Sequence, residues 1–198
     1  MRGVRTFGEI VILPNHIYAH PLPDGDGYTW TLATRLGAIL SEIENIYGER
    51  DKSWTVLGVE FEKNGPQLWY PGNCKNIAIQ LAPNALKNEM LACYQLAHEA
   101  IHLLAPSGGR NAPVIEEGLA TVFSEDFVSR EFNAFGITND AKYIDAASKV
   151  RALIEKYPDA INTLRKIEPA FFQMTNATFQ QAGIDIPKSD IDQLLKKF

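Results

Sequence analysis

Tyr94-Gln95-Leu96-Ala97-His98-Glu99-Ala100-Ile101-His102-Leu103-Leu104 is the stretch whose reading decides the fold. Around it Leu86, Met90, Leu91, Tyr94, Leu96, Ala97, Ile101 and Leu104 recur at helical intervals, and neither Gly nor Pro interrupts residues 85 to 104. A helix rises about 1.5 Å and turns about 100° per residue, so His98 and His102 project from one face, about 6 Å apart along the axis. Two imidazoles held that way can grip one metal ion. Glu99 stands one position round from His98, within reach of a water on that ion. A histidine and a glutamate on a mostly buried helix are costly without partners, which favours a built site over two incidental surface histidines. His-Glu-x-x-His is the spacing used for zinc ligation by the histidines with the glutamate as general base.

Fifteen residues beyond His102 comes Glu117, within Glu116-Glu117-Gly118-Leu119-Ala120-Thr121. With this second motif the sequence resembles the gluzincin metallopeptidases, in which a following helix supplies a glutamate ligand from a motif like Asn-Glu-Gly-Phe-Ala. The resemblance covers residues 76 to 126. It implies a zincin-like α+β fold, with a small mixed or antiparallel sheet packed on the active-site helix and a mostly helical C-terminal part. It also implies one zinc ion held by His98, His102 and Glu117, with Glu116 standing where the family often has Asn. Glu116 and Glu117 differ by about 100° around the helix axis, and the family pattern, with its ligand directly before the glycine, selects Glu117.

The same resemblance implies hydrolysis of a peptide or protein substrate, with Glu99 as base. It calls for a Tyr or His donor to the oxyanion from beyond the ligand helix, and Tyr143 and Tyr157 are the candidates. In such proteins the strand ahead of the active-site helix is a sheet edge along the cleft. That points to residues 76 to 81, with Asn76, Ala78 and Gln80 as substrate contacts through strand addition. An interior strand fits those residues equally well. The interval from His102 to Glu117 is shorter than in the larger aminopeptidases and marks a compact member.

Composition bounds the alternatives. The chain has 198 residues, 45% hydrophobic and 22% charged, enough for one substantial core or one core with a helical annex. A net charge of −5 provides no large cationic field, which weighs against nucleic acid as a partner. Residues 1 to 14 include Arg2, Arg5 and Glu9 and lack the apolar run of a signal peptide. No segment reaches the roughly 20 apolar residues that span a bilayer, so the expectation is a cytoplasmic protein with no membrane partner. Cys74 and Cys93 have no Cys or His neighbour at ligand spacing and read as ordinary thiols, Cys93 as a small core residue.

Along the rest of the chain, residues 6 to 13 read as a strand. His16 and His20 are bracketed by Pro14 and Pro21, which argues against a helix presenting them together. Residues 28 to 47 read as an amphipathic helix. Residues 54 to 62 and 67 to 70 read as a hairpin around Asn64-Gly65-Pro66. After a breaker-rich link, residues 114 to 130 form the second motif's helix, where Gly118 permits close approach to the metal-site helix and Thr121 supports a ligand by hydrogen bonding. Four further helices are expected at residues 140–156, 159–167, 169–182 and 189–198.

The domain reading is a catalytic core at residues 1–135 and a helical C-terminal subdomain at residues 136–198, packed on the core. Two functions compete: a zinc metallopeptidase, and a catalytically silent zinc-binding domain serving as an interaction or regulatory module. An intact Glu99 favours the enzyme, because a structural zinc site is closed by four protein ligands and needs no base.

Overall fold

The computed structural model describes residues 19–21, 28–109 and 112–198; the expected strand at residues 6 to 13 and His16 lie outside them. Strands β1 (Ala19–Pro21) and β2 (Tyr28–Thr31) pair antiparallel. Helix α1 (Leu32–Tyr47) begins at Thr31, which closes a reciprocal capping box with Thr34, and buries Leu36, Ile39 and Ile43. The Thr31 and Thr34 N–H groups are thereby satisfied within the chain.

Strands β3 (Thr55–Phe61), β4 (Gln67–Trp69) and β5 (Asn76–Leu81) make a mixed sheet in the order β3-β5-β4, with β5 parallel to β3 and antiparallel to β4. Two expectations are corrected here. β3 and β4 do not pair as a hairpin, because β5 inserts between them. Asn76–Leu81 is therefore the central strand of this sheet and not an edge. Every residue from Ile77 to Leu81 is buried, so both rows of main-chain donors and acceptors need strand partners. The edge on that side is β4.

After a 3-10 turn at Pro83–Lys87 comes α2 (Glu89–His102), whose N-cap Asn88 accepts the Leu91 N–H at 2.9 Å. It packs against α1, β5 and α3 and is buried on almost every side from Ala92 to Ile101. Helix α3 (Val114–Phe132) lies between α2 and α4 (Ala141–Lys156). Gly118 makes the second of these contacts possible: a Cβ there would sit 2.4 Å from the Ala146 carbonyl oxygen and 2.6 Å from Val150 Cγ2. The close approach expected toward the metal-site helix is thus toward α4. Glu116 and Glu117 take the side of α3 that faces α2, leaving Gly118 turned away.

The chain continues through α5 (Ala160–Ile167), α6 (Asn176–Gln181) and α7 (Lys188–Leu194). The helix expected over residues 169–182 is split into a 3-10 turn at Phe171–Gln173 and α6, because Thr175 and Thr178 form a capping box that starts a new helix. Arg165 is buried, and its guanidinium donates to the carbonyls of Tyr47, Gly48, Glu49, Leu104 and Pro169. It joins the ends of α1 and α2 to the C-terminal helices. One buried apolar cluster includes Ile39, Ile79, Leu96, Leu119 and Leu164. The fold is mixed α+β and mostly helical, and no helix among the described residues is long and apolar enough to cross a membrane.

Gly118→Ala should destabilise the protein by about 1–3 kcal/mol, since overpacking against main chain outweighs the helix-propensity gain. A lower urea midpoint is expected; an unchanged or raised one would contradict the α3–α4 contact.

Candidate metal centre

Helix α2 presents His98 and His102 with ring centroids 5.3 Å apart and planes inclined at 67°. From α3, Glu117 Oε2 lies 3.2 Å from His98 Nε2 and 3.8 Å from His102 Nε2. One donor atom from each of the three lies within 4.8 Å of the others. Donors bonded at about 2.1 Å to a tetrahedral ion stand about 3.4 Å apart, so the Glu117 separations of 3.2 and 3.8 Å suit a small divalent cation.

Glu116 also faces the histidines: its Oε1 lies 2.8 Å from His102 Nδ1. Consecutive residues of α3 point about 100° apart, which lets Glu117 meet the Nε2 atoms while Glu116 reaches behind His102. A carboxylate accepting from Nδ1–H holds the imidazole in the tautomer whose Nε2 lone pair faces the centre. The other oxygen, Glu116 Oε2, is buried without a hydrogen-bond partner among the described residues. An anionic oxygen so placed is costly unless positive charge lies nearby.

The electrostatics point the same way. Burial opposes charge on His102, but the Glu116 hydrogen bond and the Glu117 and Glu99 carboxylates push its pKa up to about 10. Burial raises the Glu99 carboxyl above its ordinary value. Burial opposes charge on Glu117 as well, yet the His98 hydrogen bond and both imidazoles hold it below the ordinary value. Three carboxylates thus face two imidazoles, and neither Lys nor Arg lines the cavity among the described residues. Such a group attracts positive charge, and a bound cation would take the place of the imidazole proton.

The centre opens into a cavity of about 520 Å³ lined by His98, Glu99, His102, Glu116 and Glu117, by Pro66 to Tyr70 along β4, and by Tyr143. Tyr143, at the start of α4, lies edge-on to His98 at 5.7 Å. Burial and the charges of Glu117 and Glu99 push its pKa up to about 12, so the hydroxyl stays protonated at neutral pH. Tyr157 is at the other end of α4, about 21 Å along the axis, and does not line the cavity. Its hydroxyl donates to the Asp185 carbonyl at 3.0 Å and accepts from the Asp185 N–H at 3.1 Å.

Asn76, Ala78 and Gln80 do not line the cavity either, since β4 takes the place expected for β5. Gln80 reaches it only through a ladder, accepting from Gln67 Nε2 at 2.8 Å and donating to Glu60 Oε1 at 2.7 Å. Thr121 donates to the Glu117 main-chain carbonyl at 2.8 Å, not to the carboxylate. Cys74 is exposed and Cys93 buried, both free thiols. Sequence reasoning misses the β4 edge, Tyr70, Phe198 and the Glu116–His102 contact. For the last there was a signal, two adjacent acids facing two histidines four apart; the others depend on strand order and on where the chain returns. Compared with protein-family models, curated proteins and solved structures, the chain matches none.

Glu116→Ala should weaken metal binding by about 10- to 100-fold, measured by competition with a chromophoric chelator. Equal affinity in the variant would contradict a supporting role for this carboxylate.

Proposed function

We propose that this chain is a zinc-dependent metallopeptidase of the compact gluzincin type, built on a zincin-like core. The observation that carries the reading is the convergence of His98 Nε2, His102 Nε2 and Glu117 Oε2 in the cavity that Glu99 also lines. Three protein donors suit a hydrolytic ion with a coordination position to spare, whereas a structural zinc is closed by four. His98, His102 and Glu117 would hold the ion, and Glu116 would set the His102 tautomer. When bound, zinc lowers the pKa of a coordinated water to about 7 and polarises a carbonyl.

The chain's own residues do the rest. Glu99, made more basic by burial, accepts a proton from the attacking water and returns it to the departing amine nitrogen. Tyr143 keeps its proton at neutral pH and donates its hydroxyl to the carbonyl oxygen as negative charge develops there. β4 is an edge of the three-stranded sheet, and its residues line the cavity. An extended peptide added along β4 gains affinity from main-chain hydrogen bonds and selectivity from its alternate side chains. The edge-binding role expected of β5 thereby passes to β4.

Glu99→Gln should retain about one zinc per chain and lower cleavage of a broad peptide library by about 10²- to 10⁴-fold. Tyr143→Phe should lower kcat by about 10²-fold with zinc content unchanged. Zinc binding by the unmutated protein without cleavage of any library peptide would replace the peptidase reading with that of a silent zinc-binding module.

A further inference from the structure

Phe198 joins the cavity wall from a distant part of the chain. Beyond α7 the backbone runs antiparallel to the segment leading into α3. Val114 N–H donates to the Lys196 carbonyl at 2.9 Å, Phe198 N–H donates to the Ala112 carbonyl at 3.1 Å, and Pro113 bridges to Lys197. All these bonds are between main-chain groups, so they hold position 198 whatever its side chain. The strap they form, residues 196 to 198, is anchored just ahead of Glu116 and Glu117, on the helix that supplies the third donor.

The Phe198 ring packs on Tyr143 at 4.8 Å, and Tyr143 packs on His98 at 5.7 Å. Lys142 Nζ sits 3.8 Å from the Phe198 ring centroid, a cation–π contact that further fixes the ring. An aromatic row therefore runs from the strap to a histidine of the metal centre. Pro66, Leu68, Trp69 and Tyr70 also line the cavity, and Trp69 is 47% exposed. The charged groups lining it are carboxylates and imidazoles, without Lys or Arg among the described residues. Such a wall offers an apolar side chain a surface to desolvate against.

We propose that Phe198 is a specificity-determining residue of this site: its ring is the surface on which the apolar or aromatic side chain of a bound peptide residue packs beside the metal centre. This rests on the metal-site reading above and not on turnover. The side chain it selects is apolar or aromatic, since a ring surface rewards burial of such groups.

The test uses the whole, zinc-loaded protein titrated with phenylalanine hydroxamate and alanine hydroxamate, which share a chelating head and differ in the side chain. The unmutated protein should bind the phenylalanine compound about tenfold more tightly. Phe198→Ala should reduce that preference to about twofold, with zinc content and alanine hydroxamate affinity unchanged. Phe198→Leu, which keeps apolar bulk without a ring, should fall between the two and carries the test if Phe198→Ala fails to fold. No preference in the unmutated protein, or the full preference in the folded variant, overturns the proposal. Failure of the protein to bind zinc overturns it together with the metal site. A phenylalanine preference lost in the variants, in a protein that cleaves no peptide, would sink the peptidase reading and leave this one standing.

Discussion

Burying Glu99, Glu116 and Glu117 beside His98 and His102 strips several ionisable groups of their hydration at once, and the protein has to compensate that loss inside a small volume. Part of the compensation is visible in the pairs themselves: Glu117 with His98, and Glu116 with His102. Among the described residues these pairs leave Glu116 Oε2 without a hydrogen bond and an excess of carboxylates over imidazoles. A divalent cation would balance that excess, which no Lys or Arg among the described residues of the cavity wall does. The fold's other arrangements make sense as the means of holding five such groups in register.

Two helices carry the centre, and each is pinned from outside it. α2 ends at His102, and the Leu104 carbonyl just beyond is held by Arg165 from α5 and by the Asp51 N–H. α3 is trapped between α2 and α4, its start tied to the strap at Lys196 and its early turns pressed on α4 through Gly118. α4 in turn brings Tyr143 to His98. The helices beyond residue 136 thus contribute directly to the cavity wall and to its bracing. Exposed ion pairs such as Arg130 with Glu42 add little beside these contacts.

Local periodicity made the helices legible, because an apolar stripe every three to four residues reports burial whatever the partner is. The placement of His98, Glu99 and His102 follows from helix geometry alone, and Glu117 followed from a motif resemblance. What periodicity does not carry is which element lies next to which. Residues 76 to 81 read equally as an edge or an interior strand, and β5 is buried on both faces between β3 and β4. Gly118 signalled a close approach, but its partner depends on which side of α3 the two glutamates occupy. Tyr143 and Tyr157 look alike in sequence; 14 residues of helix separate them, and only the first lies at the cavity. Phe198 carried no local signal, since its place is set by main-chain pairing across the fold.

The most direct measurement is anomalous diffraction at the zinc absorption edge from crystals of the zinc-loaded protein. The account predicts one peak about 2.0–2.2 Å from His98 Nε2, His102 Nε2 and a Glu117 carboxylate oxygen, with Glu116 still on His102 Nδ1. A peak elsewhere, or one bonded to the histidines with Glu117 turned away, would contradict it.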